Sequence, residues 1–142
     1  MATEHDIVRI LRHRLWIEEP YTLVIKADGD MDVDGARQIA DLLDKVGQGQ
    51  GPIIILQDMT KAGGFPAQAR EIVTRDERSR RIEVVISFGV NFHLRMILTM
   101  LGRAMGWLRR YVPRMIFAAN EAEARAILET EREKFRQQSP TA

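Results

Sequence analysis

Hydrophobic positions along the chain follow two periods. Ile7-Val8-Arg9-Ile10-Leu11-Arg12 alternates imperfectly and predicts a short edge strand, where charged side chains are tolerated. Glu18-Glu19-Pro20 reads as a turn. Tyr21-Thr22-Leu23-Val24-Ile25-Lys26, rich in β-branched and aromatic residues, predicts a second strand, paired with the first as an antiparallel hairpin with a long connection. Ile53-Ile54-Ile55-Leu56 is apolar at every position, as expected of a central strand covered on both faces. Ile82 to Ile86 and Arg114 to Ala118 predict two further strands.

Between these runs the period changes to 3.6 residues. Ala36, Ile39, Ala40, Leu43 and Val46 form one stripe of a helix that ends near Gly47 and Gly49, with Asp32 or Asp34 at its N-terminus. Asp58 to Gly64 reads as a flexible loop. Pro66 stands at the first position of a second helix, whose buried side is Ala69, Ile72 and Val73 and whose end, Arg75 to Arg81, is charged or polar. Asn120 with Glu123 forms a capping box for a last helix that turns Ala124, Ile127, Leu128 and Phe135 inward. The order ββαβαβαβα predicts an α/β fold: a mixed sheet of about five strands with four helices and right-handed crossovers. One domain is expected over residues 1–136, followed by a frayed tail over 137–142.

The remaining helix, from about Asn91 to Arg110, carries two apolar lines. Leu94, Ile97, Leu98, Leu101, Met105 and Leu108 are spaced to lie on a sheet. Met96, Met100, Arg103, Trp107 and Tyr111 continue around the helix at intervals of three or four. One sheet face cannot easily cover both lines, so the second predicts a homodimer interface or the wall of an apolar ligand pocket.

Composition narrows the chemistry. The chain of 142 residues has no cysteine, which excludes a disulfide framework, a thiolate nucleophile and a Cys-ligated metal. Net charge is +1, but residues 61–114 carry 11 Lys or Arg against 4 Asp or Glu. That basic segment lacks helix-turn-helix spacing, a GxxG loop and aromatic ribonucleoprotein strands, so nucleic acid is not an expected partner. Arg95, Arg103, Arg109 and Arg110 interrupt the most apolar stretch, so no transmembrane segment is expected, and with no secretory leader pattern the expected location is cytoplasmic.

Asp30-Met31-Asp32-Val33-Asp34-Gly35 matches the opening of a calcium loop, with Asp41 at its twelfth position. A strand enters it where a helix should, and Arg37 stands where an apolar residue packs, so the residues favour a solvated turn that caps the helix. Calcium through Asp30, Asp32, Asp34 and Asp41 is the alternative. Gly63-Gly64 lacks the rest of a phosphate-loop motif, and His5, His13 and His93 lack ligand spacing. No catalytic residue, metal or cofactor is assigned, and the expectation is a protein that is not an enzyme.

YTLVIKADGDMDVDGARQIADLL, PIIILQDMT with the following GGFPAQAREIV, IEVVISFG and RMIFAANEAEARAIL, in this order, resemble the STAS domains, in particular the divergent SpoIIAA-like or STAS/SEC14-like branch. The resemblance spans roughly residues 7–130 and implies a STAS-like regulatory or protein-interaction module in signal transduction, without enzymatic activity. Phosphorylated members carry a Ser or Thr at the start of the helix after the central strand. Here Phe65-Pro66-Ala67-Gln68 offers no hydroxyl, and Thr60, with Asp58 and Lys61 in a candidate loop site, is the nearest. The expected partners are a second copy of the chain, an unidentified protein or, alternatively, a small apolar molecule or lipid.

Overall fold

The computed structural model describes residues 6–109 and 113–138; within 101–109, Arg103 is the one residue whose side chain is described. Among the described residues, β1 (Val8–Ile10), β2 (His13–Glu18), β3 (Thr22–Gly29), β4 (Ile53–Ala62), β5 (Ile82–Phe88) and β6 (Arg114–Ala118) form one sheet in sequence order. β1, β2 and β3 pair antiparallel, and β3 to β6 run parallel. The helices are α1 (Val33–Leu43), α2 (Ala67–Arg75), α3 (Phe92–Arg109) and α4 (Glu121–Gln138).

Topology decides the layers. From β3 to β6 each crossover moves one strand further in the same direction, and a right-handed crossover then places its helix on the same face every time. So α1, α2 and α3 share one face, where Leu23, Ile25, Ile53 and Ile55 meet Leu42, Leu43 and Val46. The last helix, α4, closes no crossover and covers the opposite face, packing Ala124, Leu128 and Phe135 on Val24, Ile54, Leu56 and Ile86. This two-sided cover is why Ile53 to Leu56 shows no alternation.

Several expectations need correction. The sheet has six strands because the expected edge strand stops at Ile10; Leu11 takes a positive φ of 56°, the chain reverses, and residues 13–18 form an additional strand between the two expected ones. Its inward alternation is carried by His13 and Leu15, and a buried histidine hides that pattern from a hydrophobicity reading. The stretch 58–62, read as loop, extends β4 as the parallel partner of the end of β3, pairing Asp28 with Lys61 and Gly29 with Ala62. Pro66 caps α2 from outside its first turn, α2 stops at Arg75, and Asp76 opens a separate 3-10 turn over Glu77–Arg81. Val46 lies in a 3-10 turn after α1.

The caps follow the sequence reading. Asp32 Oδ1 accepts from the Gly35 N–H at 2.6 Å, and Asn120 Oδ1 from the Glu123 N–H at 2.9 Å. α4 runs through Gln138, past the expected start of a tail; residues 139–142 lie outside the described residues.

Candidate functional site

Between α1, α2, α3 and the sheet lies a cavity of about 150 Å³. Its floor is Ile25, Ile55 and Val85, and its roof includes Ala40 of α1 and Leu94 and Leu98 of α3. The exposed Gly63 and Gly64 lie where the parallel strands end, and the buried Leu43, Ser79 and Ile82 lie toward the strand starts. An opening at the carboxyl ends of parallel strands is the usual place for a ligand in an open α/β sheet.

One hydrogen-bonded chain shapes that end. His13, 1% exposed, receives the Asp28 N–H on Nδ1 at 2.9 Å, and its Nε2 lies 2.9 Å from the Asp30 carbonyl oxygen. The two contacts settle the tautomer: Nδ1 accepts, and Nε2–H donates. Asp30 then accepts the Gly64 N–H on Oδ1 at 2.6 Å, while the Gly63 N–H donates to the Gly29 carbonyl at 2.8 Å. A Cβ at Gly63 would collide with Asp30 and the backbone of Gly29, so this close approach needs glycine.

The chemistry of the wall is simple. Among the described lining residues His13 is the one titratable side chain, and both its nitrogens are spent on backbone groups. Gln57 donates its amide nitrogen to Ser87 Oγ at 2.8 Å. Ser79 lines the cavity at 1% exposure, and its Oγ has no hydrogen-bond partner.

α3 is amphipathic in an unusual sense. Asn91 Oδ1 caps it by accepting the Leu94 N–H at 2.8 Å, and Arg95 lies 4.6 Å from the Phe117 ring centroid on β6. With Leu94 and Leu98 buried, the opposite row is left outside: Phe92 is 79%, Met96 49% and Met100 59% exposed. Arg103 is exposed as well. Phe92 extends the second apolar line by one turn and was legible from its spacing. Trp107 and Tyr111, the rest of that line, lie outside the described side chains.

The other expected site residues separate into local roles. Asp58 and Thr60 do come together: Asp58 Oδ1 accepts from the Thr60 N–H at 3.0 Å and from its Oγ1 at 2.6 Å. Asp58 also borders a small cleft, about 40 Å³, on the α4 face, while Lys61 is exposed on the end of β4. The four aspartates of the calcium alternative are engaged one by one. Asp32 caps α1, Asp30 holds Gly64, Asp34 lies 3.6 Å from Arg37, and Asp41 accepts from Arg78 at 2.9 Å. Among the described residues no group of three acidic or histidine side chains could hold a metal ion.

Two carboxylates without a signal in the sequence are the buried Glu131 and the half-buried Glu18. Burial pushes Glu131 up, but hydrogen bonds and charge from Arg114 and Lys134 outweigh it and hold the carboxyl below its ordinary value. Glu18 behaves alike, with burial opposed by the hydrogen bond and charge of Arg125 and by the charge of Arg132. Arg132 is itself buried and donates to the carbonyls of Glu18 and Pro20, which ties α4 to the turn between β2 and β3. No described helix is long and apolar enough to cross a membrane.

No protein-family model and no curated protein matches the chain. Solved structures do. The anti-sigma factor antagonist SpoIIAA in its unphosphorylated form aligns with a TM-score of 0.55 at 19% identity, covering 82% of this chain and 97% of SpoIIAA. An uncharacterized DUF3478-family protein of SpoIIAA-like fold from Shewanella loihica PV-4 aligns with a TM-score of 0.57 at 19% identity, covering 90% and 98%. The chain therefore has the SpoIIAA-like, STAS-type fold expected from its succession of motifs, with a sheet one strand larger than expected.

Proposed function

We propose that the chain is a non-enzymatic binding and regulatory module that holds a small apolar molecule in the cavity beneath α1, α2 and α3. The observation that carries this reading is the cavity itself. Protein interiors pack with few voids larger than a water molecule. A pocket of about 150 Å³, open where the parallel strands end and lined almost wholly by apolar side chains, departs from that packing. An apolar concavity of this kind supports a binding role. The likeness in fold to an anti-sigma factor antagonist supports a regulatory role without catalysis.

Methyl-resolved NMR of the full chain titrated with benzene tests the reading. Resonances of Ile55, Leu98 and Met115 should shift together and saturate. No shift at saturating benzene overturns it.

A second property is favoured by the exposed row on α3. Phe92, Met96 and Met100 repeat every four residues on the face opposite Leu94 and Leu98, so one helix has a ligand side and a partner side. A two-fold axis would let this row cover itself in a homodimer, with Arg103 at the rim. Sedimentation across dilution should show a dimer that Met100→Glu dissociates, and a monomer at high micromolar concentration would refute it. A kinase-operated switch fits this chain poorly. Residues 65–68 bear no hydroxyl, and the Thr60 hydroxyl is already donated to Asp58.

A further inference from the structure

We infer that the outer face of α3 docks on an anionic lipid surface, with Phe92, Met96 and Met100 at the acyl boundary and the arginines of the helix on the headgroup phosphates. The inference is independent of the cavity reading. It goes beyond the two-fold contact by naming a surface that takes the second copy's place on the same row.

The apolar side of the helix faces out of the fold. Phe92, Met96 and Met100 are spaced by four residues and all exposed, while Leu94 and Leu98 are buried on the opposite side. None of the three exposed residues lines either cavity, so the row is a ridge and not a groove. A ridge suits a fluid layer that closes around it, whereas a protein partner would have to supply matching pockets. No described helix is long and apolar enough to cross a membrane, so the contact lies in the plane of the surface.

The charge of this segment has one sign. From Gly89 to Pro113 the chain carries Arg95, Arg103, Arg109 and Arg110 and neither Asp nor Glu, so all 20 acidic residues lie outside it. Arg95 and Arg103 are exposed, and Arg95 meets the neutral ring of Phe117. Arg103 follows Met100 by three residues, so its stem can lie along the row while its guanidinium reaches a phosphate. The α3 of a second copy would cover the row but bring the same charge and no carboxylate. Three side chains make a short apolar footprint, and lasting attachment to a membrane takes two signals. The row and the arginines supply both, which makes anionic headgroups a requirement.

The test is co-sedimentation of the full chain with sucrose-loaded vesicles of equimolar phosphatidylglycerol and phosphatidylcholine, and with vesicles of phosphatidylcholine alone. The chain should pellet with the first and stay in the supernatant with the second. Salt at about 1 M, where the screening length falls to about 3 Å, should release it. Arg103→Gln should weaken binding about fivefold, the value of one basic residue near an anionic surface. Met100→Glu should abolish it; because Met100 is exposed, circular dichroism and benzene titration of that variant should match the natural protein. Equal binding to both kinds of vesicle, or binding that both substitutions leave unchanged, overturns the inference. Failure to pellet with the anionic vesicles overturns it too: a chain that stays a dimer assigns the row to a second copy, and one retained by immobilised poly-glutamate assigns it to an acidic protein surface. None of these results touches the cavity reading, which the benzene titration tests by itself.

Discussion

Filling the cavity should stabilise the protein and abolish binding, two effects that an ordinary core position would not show together. Ala40 lies on the inner side of α1, is buried and lines the cavity. Ala40→Leu adds three carbons, worth at most about 2.4 kcal/mol at roughly 0.8 kcal/mol per buried methylene. Ordering the new side chain takes back about 0.5–1 kcal/mol. The expected gain is therefore about 1.5 kcal/mol. For a chain of this length that raises Tm by about 6 °C, at roughly 4 °C per kcal/mol. If Ala40 instead faced a filled interior, overpacking would cost about 1–3 kcal/mol and Tm would fall. Differential scanning calorimetry decides the sign, and benzene titration of the same variant should show no binding. A lower Tm with benzene binding retained would refute the reasoning. Leu98→Ala is the companion variant; it enlarges the same space and should cost about 3 kcal/mol while binding persists.

Three further outcomes follow from the geometry. Glu131 has a folded-state pKa below its ordinary value of 4.5, so its contribution is present above that value and is lost as pH falls through the folded pKa. Glu131→Gln should then be less stable than the natural protein at pH 7 by about 1–3 kcal/mol, with a gap that closes in acid; a gap independent of pH in urea titrations would refute this. Arg81 donates to the carbonyls of Leu43, Val46, Gln50 and Gly51 at 2.7–2.9 Å and binds the connection from α1 to β4. Arg81→Lys cannot reproduce that fork and should lose about 2 kcal/mol by chemical denaturation, and an unchanged midpoint would show that water replaces the contacts. Gly89 has φ +72°, and a Cβ there would collide with Thr60, so Gly89→Ala should lower stability by at least about 1 kcal/mol; a neutral result would mean that the turn after β5 relaxes freely.

Short-range order was largely legible in the chain. The 3.6-residue stripe of α1, the caps Asp32 and Asn120, the apolar run of β4 and the two lines of α3 each depend on residues within a turn or two of one another. For that reason Leu94 and Leu98 separate correctly from Met96 and Met100. Features that depend on distant partners were not legible. Residues 58–62 are polar enough to read as loop and become strand because the end of β3 supplies hydrogen bonds. His13 is buried because backbone groups of Asp28 and Asp30 complete its ring, and Glu131 because Arg114 and Lys134 do the same for its carboxylate. The cavity is the extreme case. It is a shortfall in packing shared among three helices and five strands, and whether side chains from separate elements meet or leave space is decided only when tertiary structure brings them together.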